Sequence, residues 1–189
     1  MGDEHGVYYV AMEYVPMSLG TILEHQDKLE WQQARIITRQ VAAAPRAAAR
    51  GGIPTHLDLK PQNVLLSKKG VVKVADFGAV GAAPRGQTLG SPQYLSPEQA
   101  QGEPLDVRSD MYSMGVVLHQ MLTGVTPLHG MKPDEVRRVH ESDVNIPLKA
   151  LDAADVPKEA KEITRQLLSQ RPEERFASAQ DLIVRLAPK

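Results

Sequence analysis

Hydrophobic and polar positions change character along the chain, from β-forming residues near the start to helical spacing further on. The run Val7–Val15 is rich in β-forming residues and predicts one strand, which Pro16 ends. Helical spacing predicts a short helix over Leu19–Glu24 and a long one over Leu29–Arg50. Pro45 lies inside the long helical stretch and predicts either a kink or a division into two helices.

The middle of the chain predicts a hairpin and then a long irregular segment. Short apolar runs at Val64–Leu66 and Val71–Val74 are joined by a turn at Lys68–Gly70. Residues Ala79–Leu105 are rich in Gly, Pro, Gln and Ser without any period, which is typical of a functional segment. Helical spacing then returns over Ser109–Thr123, Pro133–Glu141, Lys158–Ser169 and Ser178–Leu186. The fold class predicted is mostly α (α+β).

Composition narrows the function classes. The 189 residues carry a net charge of −1 without a Lys/Arg block, so we expect no nucleic-acid partner. The absence of cysteine excludes disulfides, thiolate metal sites and a cysteine nucleophile. No apolar run is long enough to cross a bilayer, and the acidic start lacks a signal-peptide layout. We therefore expect no membrane segment and a cytoplasmic location.

The chemistry is concentrated in the stretch His56–Asn63 and in Asp76-Phe77-Gly78, which follows Asn63 by thirteen residues. Transfer of a phosphoryl group to a hydroxyl needs a carboxylate near the proton, a cation on the phosphate and oxygen ligands for Mg²⁺. Asp58 can accept or orient the proton, and Lys60 can contact the phosphate. Asn63 and Asp76 offer the hard oxygen ligands that Mg²⁺ prefers.

These two motifs, in this order, resemble the catalytic loop H-R-D-L-x-x-x-N and the D-F-G motif of protein kinases. Lys60, two residues after Asp58, resembles the serine/threonine class, and the later segments look most like the bacterial kinases of that class. The resemblance implies a protein kinase-like fold, Asp58, Lys60 and Asn63 as catalytic residues, and a metal site at Asn63 and Asp76. It further implies ATP and Mg²⁺ (or Mn²⁺) as cofactors and a protein substrate with a Ser or Thr hydroxyl.

Further segments match the same family in order. Met12-Glu13-Tyr14-Val15 resembles the hinge, which implies that Met12 is the gatekeeper and that the backbones of Glu13 and Val15 bind adenine. Leu65 would form the apolar floor beneath the ring, and Asp76 completes the implied cofactor site. Gly90–Glu98 is similar to the substrate-docking loop that ends in A-P-E, and the implied docking residues are Ser91, Pro92 and Leu95.

Structural roles also follow from the resemblance. It implies that Asp110 holds the backbone of the catalytic loop, that Glu98 forms a buried ion pair with Arg175, and that His56 packs against Phe77. The remaining histidines show no metal-ligand spacing and are expected at the surface or as helix caps: His5, His25, His119, His129 and His140. The methionines other than Met12 are expected to fill the core.

The chain also departs from the family pattern. Only six residues precede the run Val7–Val15 that contains the hinge, so we expect residues 1–17 to be the last strand and hinge remnant of an absent N-lobe. Residues 18–189 form the expected C-lobe, with its catalytic loop at 56–63 and its activation segment at 76–98. Leu57 stands where the family usually has Arg.

Two hypotheses remain open for this chain. One is a truncated Ser/Thr protein kinase that is inactive in isolation, with a missing N-lobe or a partner covering the exposed face. The other is a pseudokinase-like scaffold or binding module without catalysis.

Overall fold

The computed structural model describes residues 2–4, 7–9, 11–49, 55–77, 92–142 and 145–188, and for 2–9 and 45–49 it describes the backbone alone. The strands are β1 (Gly2–Glu4), β2 (Val7–Tyr9), β3 (Met17–Ser18), β4 (Val64–Leu66) and β5 (Val72–Val74). The helices are α1 (Leu19–His25), α2 (Trp31–Ala49), α3 (Pro97–Gln101), α4 (Val107–Thr123), α5 (Pro133–Glu141), α6 (Lys149–Ala153), α7 (Lys158–Leu167) and α8 (Ala179–Arg185). The mostly α (α+β) class is confirmed.

The strands form two small antiparallel sheets. β1 and β2 form a hairpin, and β3, β4 and β5 form a sheet in that order. The hairpin of β4 and β5 is confirmed, and Gly70 adopts the left-handed φ of 74° that its tight turn requires. The single strand predicted over Val7–Val15 is wrong, because β2 ends at Tyr9 and residues 11–15 belong to no described strand. β-forming residues make a strand only where a neighbouring strand takes up their backbone hydrogen bonds.

The predicted helices are present, with bounds shifted by a few residues. α2 continues through Pro45, so of the two alternatives predicted at this proline the division into two helices is excluded. α3 and α6 were not predicted, since each has only five residues and is too short for a periodic pattern. α3 owes its start to Ser96, whose hydroxyl accepts a hydrogen bond from the Gln99 N–H at 3.3 Å.

Helix α4 forms the centre of the core. It packs against α2 and α7, and every residue from Ser109 to His119 is buried. Three of the seven methionines lie on it and are at most 2% exposed (Met111, Met114 and Met121), as expected for core filling. The same expectation is wrong for Met17, which lies on the edge strand β3 and is 44% exposed. The backbone of α4 at Gly115 lies so close to α7 that a Cβ added to Gly115 would be 2.7 Å from Leu167 Cβ.

Two of the five histidines expected at the surface or as caps are instead buried. His119 and His140 are each 1% exposed. The side chain of His119 hydrogen-bonds the Val125 carbonyl at 2.8 Å, whereas the ring of His140 packs edge-on to Tyr112 with 5.6 Å between centroids. His119 lies on the buried helix α4 and His140 on the inner face of α5, so tertiary packing covers both. Among the described helices, none combines the length and apolar character needed to span a membrane.

Candidate active site

The backbone of the catalytic loop is held by the side chain of Asp110, near the start of α4. Its two carboxylate oxygens accept hydrogen bonds from the N–H groups of His56 and Leu57, each at 2.8 Å. Burial raises the pKa of Asp110 above its usual range, and the two backbone donors oppose that rise. Leu57 adopts a left-handed φ of 65°, a conformation that costs a non-glycine residue about 1–2 kcal/mol. The expected role of Asp110 matches these contacts.

His56 connects the catalytic loop to the strand that precedes Asp76. Its Nδ1 accepts a hydrogen bond from the Asp58 N–H at 3.2 Å, so its Nε2 carries the proton donated to the Ala75 carbonyl at 2.7 Å. The ring packs against Phe77 with 4.6 Å between centroids, as predicted. His56 is 1% exposed, and its N–H and both ring nitrogens are hydrogen-bonded inside the protein. Its geometry is that of a structural residue.

Asp58, Lys60 and Asn63 meet at one place. Lys60 Nζ lies 2.7 Å from Asp58 Oδ2. The side-chain amide nitrogen of Asn63 donates hydrogen bonds to the Asp58 carbonyl at 2.9 Å and to Asp58 Oδ2 at 3.3 Å. The carboxylate of Asp58 is therefore held between a cation and an amide donor. Its side chain keeps 13% of its surface exposed, which leaves it accessible to a hydroxyl.

Asp76 is brought next to Asn63 by the hairpin of β4 and β5. The Ala75 N–H donates to the Asn63 carbonyl at 2.9 Å, directly before Asp76. Asp76 has a left-handed φ of 61° and an exposed side chain. Among the described residues Asn63 Oδ1 accepts no hydrogen bond, so an amide oxygen and a carboxylate are both available there. This donor set fits Mg²⁺, which takes one or two protein oxygens and keeps several waters.

No denser metal site competes with this pair in the described part of the chain, where no group of three or more His, Cys, Asp or Glu residues could hold a metal ion. The pair would therefore depend on further ligands from water and from substrate phosphates, as Mg²⁺ sites of phosphoryl-transfer enzymes commonly do.

The segment that resembles the hinge lies beside the same hairpin. β3 follows it directly and pairs with β4, with Ser18 opposite Leu65. Lys73 is the cross-strand partner of Leu65 on β5 and forms an ion pair with Glu13. Cross-strand partners share a face of a sheet, so Leu65 lies on the face from which Lys73 reaches the hinge segment. The expected floor and edge of an adenine site are thus neighbours.

The hinge segment itself is open to solvent. Met12 is 64% exposed and Tyr14 is 85% exposed, while Val15 is half-buried. A gatekeeper side chain is expected to face an enclosed pocket, and nothing in the described residues encloses Met12. The side chains alone therefore do not form a closed nucleotide site here.

The docking segment packs on α4 and α5. Leu95 is 6% exposed, and Pro92 begins a short 3₁₀ turn that ends at Tyr94. Ser113 of α4 donates its hydroxyl proton to the Tyr94 carbonyl at 2.8 Å, which fixes the segment against the core. Ser91, the third predicted docking residue, lies outside the described residues.

The predicted ion pair of Glu98 with Arg175 is confirmed. Arg175 donates to the two carboxylate oxygens of Glu98 at 2.7 and 2.9 Å, and both side chains are buried. Burial alone would raise the pKa of Glu98, but the hydrogen bonds and charge of Arg175 outweigh burial and lower it. The three other N–H donors of Arg175 bind the carbonyls of Ser169, Arg108 and Gln170. All five donors of the guanidinium are thus used, which fixes α3 firmly.

Two glutamines were missed by sequence reasoning. Gln40 of α2 binds the hairpin with both ends of its amide, donating to the Gly70 carbonyl and accepting from the Val72 N–H. Gln99 of α3 donates to the Leu57 carbonyl at 2.8 Å. The sequence held a signal for Gln99, since Ser96 and Gln99 have capping-box spacing, but none for its contact with the catalytic loop.

Comparison with known proteins places these residues in a family context. The sequence matches the family described as protein kinase domain over residues 1–184. A probable serine/threonine-protein kinase of Clostridium perfringens is 35% identical over 190 residues, covering 97% of this chain and 27% of that protein. The serine/threonine-protein kinase PksC of Streptomyces coelicolor is 37% identical over 185 residues, covering 91% of this chain and 33% of that protein.

A third relative, the serine/threonine-protein kinase PrkC of Bacillus subtilis, is 34% identical over 198 residues. The match covers 96% of this chain and 29% of PrkC. The chain therefore spans a third or less of the length of these three curated relatives.

Proposed function

This chain belongs to the protein kinase family, and on that premise we propose that it is the catalytic-loop lobe of a serine/threonine protein kinase. The reaction proposed is ATP-dependent phosphoryl transfer to a Ser or Thr hydroxyl of a protein substrate. Residues 1–17 would be the last N-lobe strand and hinge, and residues 18–189 the C-lobe. Because the reaction needs ATP, the cytoplasm is the location that we propose.

One observation carries the proposal: Asp58 is held by Lys60 and Asn63 on a loop whose backbone is anchored by Asp110. Phosphoryl transfer depends mainly on positioning and electrostatic stabilisation. In the proposed reaction Asp58 orients the substrate hydroxyl and accepts its proton. Lys60 moves from Asp58 toward the transferred phosphate as negative charge develops there.

Metal and nucleotide would be bound next to each other, beside the hairpin of β4 and β5. Asn63 and Asp76 would hold Mg²⁺, which would neutralise negative charge on the transferred phosphate. Leu65 would lie beneath the adenine, and the backbones of Glu13 and Val15 would bind its edge. The ion pair of Glu13 with Lys73 supports this arrangement, because it joins the hinge segment to the strand beside Leu65.

The proposed reaction is tested with Asp58→Asn in the complete protein that contains this chain. We expect radiolabelled phosphate transfer to a protein substrate in the parent protein and a loss of about 10²- to 10⁴-fold in kcat in the variant, the range for general acid–base catalysis. The matched control is Asp155→Asn at an exposed position, which should keep full activity. Equal rates in the parent protein and Asp58→Asn would contradict the proposal.

The second candidate is a pseudokinase-like scaffold, and the open hinge segment favours it for the isolated chain. We propose that the 189 residues alone transfer phosphate little or not at all, with a partner or N-lobe needed to cover the exposed Met12 and Tyr14. A ligand that binds only the folded state raises its melting temperature. A melting temperature that does not respond to millimolar Mg-ATP in the complete protein would favour the scaffold, whereas an increase that is lost in Asp76→Asn supports the kinase.

A further inference from the structure

Gln99 occupies a position between two parts of the molecule that are otherwise separate in sequence. It lies on α3, which Glu98 attaches to the buried guanidinium of Arg175. Its side chain crosses to the catalytic loop, 42 positions earlier, and donates from Nε2 to the Leu57 carbonyl at 2.8 Å. The contact therefore joins a firmly held helix to the residue directly before Asp58.

The peptide groups of Leu57 are held on both sides. Its N–H donates to Asp110 at 2.8 Å, and its carbonyl accepts from Gln99 at the same distance. Between these two bonds Leu57 keeps a left-handed φ of 65°. A leucine leaves that region unless its surroundings hold it there. Because the next residue is Asp58, the direction of the Asp58 carboxylate depends on this turn.

The other end of the Gln99 amide is fixed as well. Its Oε1 accepts from the Ser96 N–H at 3.0 Å and from the Ser96 hydroxyl at 3.2 Å. Acceptor and donor therefore have separate tasks, since Oε1 completes the cap of α3 and Nε2 binds the catalytic loop. This fixes the orientation of the amide, because only an N–H group can donate to a carbonyl.

We propose that Gln99 is a positioning residue that aims Asp58 by holding the Leu57 carbonyl in the left-handed turn. The contact is made with the backbone carbonyl of residue 57 and not with its side chain. It therefore does not require the Arg that the family usually has at this position. It also connects the docking segment to the catalytic loop, so that binding of a protein substrate and placement of the general base depend on one helix. The catalytic part of this inference rests on the proposed kinase function.

The test uses Gln99→Glu in the complete protein. Glutamate is a usual partner in a capping box and keeps the acceptor for Ser96, but it cannot donate to Leu57. The matched control is Gln101→Glu on the same helix, where the side-chain donor binds the carbonyl of His140 instead of the catalytic loop. If Gln99→Glu does not fold, Gln99→Met removes the donor without placing a charge beside the carbonyl.

The first readout is amide hydrogen exchange, which does not depend on activity. We expect the amides of Leu57 and Asp58 to exchange roughly tenfold faster in Gln99→Glu, as local opening there becomes easier. The amides of α4 should be unchanged, as should those of the loop in Gln101→Glu. Unchanged exchange at Leu57 and Asp58 in both Gln99 variants would overturn the inference.

The second readout is the division of the effect between kcat and KM. A misplaced catalytic group can cost on the order of 10²-fold in rate, so we expect kcat to fall by about tenfold to a hundredfold in Gln99→Glu. The KM for ATP should stay within about twofold, because an interaction needed only in the transition state leaves KM unchanged. A fall in melting temperature with kcat unchanged would assign Gln99 a merely structural role and overturn the inference. If the parent protein transfers no phosphate, the proposed function fails, while hydrogen exchange still decides the role of the Gln99 contact.

Discussion

The catalytic loop and the hinge segment differ in how much of the described structure holds them. The catalytic loop (residues 56–63) is bound through its backbone by Asp110 and Gln99, and it lies against a core in which Arg175 uses all its donors. The hinge segment (residues 12–15) has mostly exposed side chains, and its main described side-chain contact is the surface ion pair of Glu13 with Lys73. The residues proposed for phosphate chemistry are thus fixed by buried contacts, whereas the segment proposed for nucleotide binding is held by a surface ion pair.

The largest change in stability that would test the contrast between the catalytic loop and the hinge segment is expected for Arg175. Arg175→Met should lower the free energy of unfolding by about 3–5 kcal/mol, because it leaves the carboxylate of Glu98 buried without its partner. Urea unfolding of the complete protein measures this change. The double variant Glu98→Gln/Arg175→Met should recover part of the loss, since no buried charge remains unpaired. Additive effects of the two substitutions would contradict a coupled pair.

The next effect is a pH dependence that arises from His140. Burial lowers the pKa of His140 from 6.5 to about 4, and among the described charged groups Glu98 opposes and Arg175 reinforces this change. The pKa is lower in the folded state, so the stabilisation is present above pH 6.5 and is lost as pH falls toward about 4. The loss amounts to about 3 kcal/mol.

The test compares the parent protein with His140→Leu in chemical denaturation between about pH 7 and about pH 4, a range that includes both pKa values of His140. His140→Leu should reduce the decline of stability on this acid side. His129→Leu, at an exposed position, is the matched control and should leave the decline unchanged. Equal slopes for the parent protein and His140→Leu would refute this assignment. Asp134 and Arg137, which line the small cavity beside His140, are present in all three proteins.

A smaller effect is expected at the contact between α4 and α7. Gly115→Ala should destabilise the fold by about 1–2 kcal/mol, because overpacking of a tight contact outweighs the better helix propensity of alanine. The new Cβ would lie 2.7 Å from Leu167 Cβ, an atom that cannot move without its backbone. Gly20→Ala on α1 is the control, since its Cβ would meet Gln62 at an ordinary 3.4 Å. Thermal unfolding in which both variants behave alike would show that this close approach is absent.

The smallest effect is expected in the hinge segment. A double-mutant cycle on Glu13→Ala and Lys73→Ala should give a coupling free energy below about 1 kcal/mol, because both side chains are largely exposed. High salt should reduce it further. A coupling as large as that of Glu98 with Arg175 would remove the contrast between the two regions.

Much of the site could be predicted from short-range sequence patterns. His56, Asp58, Lys60 and Asn63 lie within one eight-residue motif, and Asp76 follows a strand whose hairpin partner begins beside Asn63. The resemblance to protein kinases implied the role of Asp110 and the pairing of Glu98 with Arg175. The hydrogen bonds between Glu98 and Arg175 confirm the pairing. Sequence reasoning failed for residues 11–15, because β-propensity does not supply a neighbouring strand.

The sequence by itself determined the family and with it the chemistry that we propose, because the carboxylates, the lysine and the amide occur with fixed spacing on one loop and one hairpin. It also determined the helices that are long enough to show a period. Only the tertiary structure decided that His140 is buried beside Tyr112 and that Gln99 reaches Leu57 across 42 positions. Such contacts depend on how helices pack against one another, and no local pattern of residues encodes the partner that packing will bring near.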